Sequence, residues 1–246
     1  MIEIEILNTN IFPSDIISGV TMRNQSAFQP YGFTISGNYS DENIVNQHRK
    51  LMSEYLNLEL DAVKYQKQVH GDEIQVVDFD TEINESDAMI TNLMGLALVA
   101  SVADCAAILL YDDKVKAIAA IHSGWRSTTL NIVSKTIEKM RSEYNSKPQD
   151  LIAYISPCAG GDSYEVGIDV AQYFPNSIKR LSQDKFLFNI KNEVHNQLIV
   201  SGVPPQNIEM SEICTISNEK FHSFRRDADN SGRMGAFIMM KGAPND

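Results

Sequence analysis

The stretch between residues 96 and 122 constrains the fold more than any other part of this chain. Leu96 to Tyr111 is an apolar run broken only by Ser101, Asp104 and Cys105. Asp112-Asp113-Lys114 interrupts it, and Val115 to His122 returns as a second apolar run. Two such runs about a short polar turn read as a β-hairpin. Small side chains crowd both arms, Ala97, Ala100, Ala103, Ala106 and Ala107 in the first and Ala117, Ala119 and Ala120 in the second. Strands this narrow suit a sheet covered on both faces. Folding the hairpin about residues 112–114 sets Cys105 opposite His122, where cross-strand Cα atoms lie about 5 Å apart. Contact between a thiol and an imidazole is therefore expected from register alone.

Around the hairpin, helices and strands follow one another without a strict βαβ rhythm. Residues 42–56 predict a helix, with Ile44, Val45, Leu51, Met52, Tyr55 and Leu56 on one face and His48 on its surface beside that stripe. Ser127 or Thr128 is expected to cap a helix carrying Leu130, Val133, Ile137, Met140 and Tyr144. A further helix holds Ile190, Val194 and Leu198, with His195 on its surface. Strands are expected at 73–77, 87–91, 151–155, 208–214 and 235–240. Met1 to Leu7, where Ile alternates with Glu, reads as an edge strand, and 21–41 as a polar, turn-rich stretch. No repeat or linker divides the 246 residues, so one α+β domain with mixed sheets is expected over 1–246.

Composition excludes several classes of function. The formal net charge is −11, from 21 basic and 32 acidic residues, which argues against binding a nucleic-acid backbone. No apolar window reaches the 18 or so residues of a membrane span, and the first residues lack the pattern of a secretory signal. A cytoplasmic protein without membrane partners is the expectation. Cys105, Cys158 and Cys214 are then reduced thiols, each a small apolar filler, a metal ligand or a nucleophile.

The chemistry concentrates where strands meet turns. Contact between Cys105 and His122 allows either a metal site or a thiolate–imidazolium nucleophile. His70, between Val69 and Gly71, is a candidate third ligand. Three protein ligands leave one tetrahedral position open, as in catalytic zinc centres, and the same donors also suit copper. Asp104 or Asp72 could carry a proton. Arg126, in the Gly124-Trp125-Arg126 turn, is a candidate anion binder. Arg225 and Arg233, with His222 among Phe221 and Phe224, could form the wall of a pocket for a planar charged ligand.

Six ordered segments together resemble one family. They are Lys67-Gln68-Val69-His70-Gly71, Ala103-Asp104-Cys105, His122-Ser123-Gly124-Trp125-Arg126, Pro157-Cys158, Tyr164-Glu165-Val166-Gly167, and Arg225-Arg226-Asp227 with Gly232-Arg233-Met234-Gly235-Ala236-Phe237. This pattern is similar to the YfiH-type, laccase-domain proteins, long labelled multicopper polyphenol oxidases and now associated with purine nucleoside phosphorolysis. The resemblance implies an α-β-β-α layered fold and a zinc ion on His70, Cys105 and His122. It also implies phosphorolysis of adenosine, inosine, guanosine and S-methyl-5′-thioadenosine, with adenosine deamination, by a monomer or homodimer. The chain departs from the pattern at Ser123, Ser127, Ser156 and Asn189, and around Met22-Arg23-Asn24-Gln25. A laccase-like copper oxidase and a Cys–His amidohydrolase acting on cell-wall precursors are the rival readings. Beyond the triad only His48, His195 and His222 remain, too few for a full multicopper cluster in one chain.

Overall fold

A computed structural model describes residues 4–29, 31–36 and 42–242. The chain runs through β1 (Ile6–Asn8), β2 (Ile16–Thr21), α1 (Glu42–Leu56), β3 (Val63–Tyr65), β4 (Ile74–Val76), β5 (Ala88–Thr91) and β6 (Ala97–Val102). It continues through β7 (Ala106–Asp112), β8 (Ala117–Ser123), α2 (Trp125–Thr129), α3 (Ile132–Tyr144), β9 (Leu151–Ile155), β10 (Glu165–Val166), α4 (Ile168–Ala171) and β11 (Ile178–Arg180). The last elements are β12 (Phe186–Phe188), α5 (Ile190–Val200), β13 (Ile208–Met210), α6 (Phe224–Asp227) and β14 (Met234–Met240).

Two sheets stack face to face, one ordered β1-β2-β14-β6-β3 and the other β13-β9-β7-β8-β5-β4, both with parallel and antiparallel pairs. Side-chain alternation explains the layers. From β7, Ala107, Leu109 and Tyr111 face the space between the sheets, where they meet Leu98 and Ala100 of β6 and Ile238 of β14. The alternate residues Ala106, Ile108 and Leu110 face outward, under Ile137 of α3 and Val194 of α5. On the far side, Met52 and Leu56 of α1 cover Val99 of β6 and Phe237 of β14. The result is the α-β-β-α order, and the small alanines let β7 and β8 be buried on both faces. A small sheet, β10-β12-β11, is appended beside these layers.

The expected edge strand at Met1 to Leu7 is shorter and shifted: β1 covers Ile6–Asn8, residues 4 and 5 lie outside it, and residues 1–3 are outside the described part, as are residues 30 and 37–41 of the turn-rich stretch. The hairpin needs two corrections. Leu96 to Tyr111 is not one strand: β6 belongs to the five-stranded sheet and β7 to the six-stranded one. The chain crosses between sheets at Ala103-Asp104-Cys105, where Asp104 has φ 81°. The register also differs, with Ala107 opposite His122 and Asp112 still paired to Ala117. The reason is local. The buried Asp112 carboxylate accepts the amides of Lys114 (2.8 Å) and Val115 (3.2 Å), so the turn forms beyond it.

The helix after β8 is broken. Gly124, not Ser127 or Thr128, occupies the cap position of α2, and Asn131 in the left-handed region (φ 59°) separates α2 from α3. His48 is not on the surface: its ring is buried, stacks on Phe33 at 4.8 Å, and accepts the Thr34 amide at Nδ1.

Candidate metal centre

His70, Cys105 and His122 come from three separate segments, and their ligating atoms all lie within 4.8 Å of one another. His122 is on β8. Cys105 sits just before β7, at the crossing between sheets, so it reaches His122 from beyond the ladder and not as a cross-strand partner. His70 lies in the loop between β3 and β4 with φ 60°, and its ring meets that of His122 edge to face at 4.8 Å.

One residue holds two of these segments, and sequence reasoning missed it. Asp87, fully buried, accepts the amides of Val69 (3.1 Å), His70 (3.0 Å) and Gly71 (2.7 Å), and its Oδ1 lies 2.7 Å from Nδ1 of His122. Three successive N–H groups on one carboxylate fix the strained loop that presents His70. The bond to Nδ1 fixes the His122 tautomer and leaves Nε2 turned to Cys105, as second carboxylates do around metal-bound histidines. The only sequence signal was an acid immediately before an apolar strand.

Gly124 was quoted as part of a motif, but its reason is steric. A Cβ there would stand 3.0 Å from the Cys105 sulfur and 3.0 Å from Cδ2 of His70. Only a residue without a side chain lets the start of α2 close over the cluster.

The electrostatics fit a ligand set. Burial pushes the Cys105 thiol up, but the charge of His122 and hydrogen bonds from both histidines pull it below its ordinary value. Burial pushes the His122 imidazolium down, yet the neighbouring thiolate and Asp87 raise it above its usual value. Such a pair is a thiolate facing a cation, and the same electron-rich sulfur with two imidazole nitrogens matches the donors of a zinc or copper site. Among the described residues no other group of three His, Cys, Asp or Glu residues is placed to hold a metal ion.

A cleft begins at Trp125, the residue after Gly124, and is lined by Arg126, Tyr164, Glu165, Asp169, Lys185 and Arg225 among others; none of the three cluster residues is in its wall. Arg126 is exposed, with its guanidinium 4.3 Å from the Trp125 ring centre. Arg225 lies 5.1 Å from the Tyr164 ring and donates to the Glu165 carbonyl at 2.7 Å. Tyr164 is near enough to Cys105 that, after burial, the thiolate's charge is the next cause raising its phenol pKa. A second cleft has His70 in its wall with Arg49, Tyr65, Gln68, Ser101 and Arg233.

Other expected site residues stand elsewhere. Asp104 is buried, and its carboxylate accepts the Thr215 hydroxyl (2.6 Å) and the Arg225 amide (2.6 Å), so it holds the Cys105 turn. Asp72 is ion-paired to Lys135. His222 has no accessible surface and its Nε2 faces the Phe33 carbonyl at 2.8 Å, so it cannot contact a ligand in either cleft. Arg233 is in the His70 cleft, apart from Arg126 and Arg225.

Fold and site together define a layered α+β protein with one His-Cys-His cluster at the ends of its sheets. The chain belongs to the family described as multi-copper polyphenol oxidoreductase laccase, whose model matches residues 18–241. A Clostridium acetobutylicum relative named purine nucleoside phosphorylase is 34% identical over 215 residues, covering 85% of this chain and 87% of that protein. A Corynebacterium glutamicum relative of the same name is 32% identical over 211 residues, covering 82% and 85%. Among solved structures, YlmD from Geobacillus stearothermophilus superposes with a TM-score of 0.87 at 25% identity, covering 95% of this chain and 94% of that one. YfiH from Bacillus licheniformis gives 0.86 at 25% identity, covering 92% and 93%.

Proposed function

We propose that the chain is a zinc-dependent purine nucleoside phosphorylase acting on adenosine, inosine, guanosine and S-methyl-5′-thioadenosine, with adenosine deamination at the same centre. One observation carries this reading: next to Gly124, which packs on Cys105 and His70, Trp125 and Arg126 begin a cleft that pairs the Trp125 and Tyr164 rings with the Arg126 and Arg225 guanidinium groups, while its Lys185 is ion-paired to Glu165. A purine needs the rings and a phosphate the guanidinium groups. When bound, the ion supplies Lewis-acid polarisation of a substrate oxygen. Arg126 and Arg225 hold phosphate in the cleft, and Trp125 and Tyr164 bracket the base. A phosphate oxygen attacks the anomeric carbon as the bond to N9 breaks; the base leaves with a proton and the sugar leaves as its 1-phosphate. Asp87 keeps His122 and the His70 loop in place throughout, so the cluster pays little reorganisation on binding. The names of the relatives support the reaction class.

The test is to remove metal with a chelator and follow inosine with phosphate. Loss of sugar 1-phosphate formation, restored by one equivalent of zinc, is the expected result; full turnover without metal would refute the proposal. Copper restoring phenol oxidation but not phosphorolysis would favour the laccase reading.

A second reading rests on its own observation. Cys105, His122 and Asp87 line up as nucleophile, base and orienting acid, the arrangement of a cysteine hydrolase. It predicts that alkylation labels Cys105 in metal-loaded protein. A protected Cys105 would count against it.

A further inference from the structure

Behind the turn that presents Cys105, the other two cysteines are backbone neighbours. Cys158, just after β9, and Cys214, beyond β13, form an isolated parallel backbone bridge, with the Thr215 amide donating to the Cys158 carbonyl at 3.0 Å. Bridged neighbours have Cα atoms about 5 Å apart, inside the span of about 4.4–6.8 Å that a disulfide uses. Both are free thiols here.

Their environments differ in the way a reactive pair requires. Cys158 is completely buried, and burial pushes its thiol up to about 12. Cys214 is partly exposed and lines a cleft with Gly160, Gly161, Asn189, Lys191 and Ser217. Its sulfur accepts the Gly160 amide at 3.2 Å. Burial pushes this thiol up, but amides of Ser217, Gly160 and Ile216 outweigh it and hold it below its ordinary value. A Cβ at Gly160 would lie 3.0 Å from the Cys214 sulfur, so the glycine is what lets the amide approach. Lys191, mostly buried, is in the wall of the same cleft; its ammonium donates to the Ser211 carbonyl, and its charge acts on Cys158. A partly exposed sulfur amid N–H donors, with a second sulfur one backbone bridge away, is the setting of a redox-active dithiol.

We propose that Cys214 is a hydroperoxide-reactive thiol and Cys158 its resolving partner. The Cys214 thiolate attacks one peroxide oxygen, the O–O bond breaks, and the departing hydroxide takes a proton, leaving a sulfenic acid on Cys214. The Cys158 sulfur then attacks the Cys214 sulfur; its proton and the sulfenic oxygen leave together as water, and an S–S bond forms. Two thiols are oxidised and one hydroperoxide is reduced. The position gives the reaction a consequence. Ala159, next to Cys158, donates to the Asp104 carbonyl at 2.9 Å, and Thr215, next to Cys214, donates to the Asp104 carboxylate, so the pair grips the turn that presents Cys105.

Metal-loaded, reduced full-length protein is treated with a small excess of hydrogen peroxide and its intact mass and disulfide-linked peptides are read by mass spectrometry. The expected product is lighter by two hydrogens, with peptides 158 and 214 linked and Cys105 unmodified. Cys214→Ser abolishes that product, and Cys158→Ser raises dimedone-trapped sulfenic acid at Cys214 about tenfold over wild type. If wild-type protein keeps all three thiols, or if Cys105 is oxidised while Cys158 and Cys214 stay reduced, the assignment is overturned.

Discussion

His122 and His222 are both buried histidines, and the fold treats them in opposite ways. His122 faces a thiolate and a carboxylate, which favour its charged form or a bound cation despite burial. His222 has one carbonyl partner, an Nδ1 with no hydrogen bond, and the positive charges of Arg23 and Arg233 nearby. Burial, opposed by the Phe33 carbonyl and aided by those arginines, lowers its pKa to about 4. Desolvation acts on both rings; the neighbours decide the outcome. The first region is built to hold charge, the second to exclude it.

The sharpest way to break this contrast is at His122. His122→Ala should lower inosine phosphorolysis on the order of a thousandfold while the protein still folds, because a ligand is lost and the surrounding core is not. His222→Phe, by contrast, should leave turnover within a few-fold.

A pH titration separates the two next. Above pH 6.5 His222 is neutral in folded and unfolded chains and adds no pH dependence. As pH falls from 6.5 towards 4 the unfolded chain takes up a proton that the folded ring refuses, so stability falls, by up to roughly 3 kcal/mol for the full shift. Denaturant midpoints should therefore drop less for His222→Phe than for wild type across that window. Parallel curves would show that His222 is not the group responsible.

Asp87→Asn tests whether His122 depends on its carboxylate. Chelator competition should show metal affinity lower by about 10–100-fold, with the far-UV spectrum unchanged. Unaltered affinity would demote Asp87 to a loop fastener. The smallest expected effect is at the cleft: Arg126→Ala should raise KM for phosphate about tenfold and leave metal content intact.

The sequence revealed the layers better than it revealed the site. Apolar periodicity marked α1, α5, β9 and β14, and small residues marked the doubly covered strands β7 and β8. The strand switch at Asp104 was invisible because a non-glycine residue at φ 81° leaves no pattern; the surrounding contacts with Thr215 and Arg225 impose it. Treating 96–111 as one strand nevertheless brought Cys105 to His122, since both lie at the same end of the stack. β2, with its Ser18 and Gly19, β3 and the small sheet β10-β12-β11 were missed as short or polar segments. Asp87 went unremarked because its partners at residues 69–71 and 122 are distant in sequence. His48 was taken for a helix surface because its ring partners Phe28 and Phe33 are distant in sequence, and the phenylalanines beside His222 were taken for a ligand pocket although the ring is buried.

The most direct measurement is metal content per chain alongside inosine phosphorolysis, for wild type and for Cys105→Ala, after loading with zinc and removing excess. The account predicts one tightly held ion in wild type, less than a tenth of that in the variant at the same free zinc, and turnover that follows the ion. A variant that holds no metal and yet phosphorolyses inosine at the wild-type rate would contradict it.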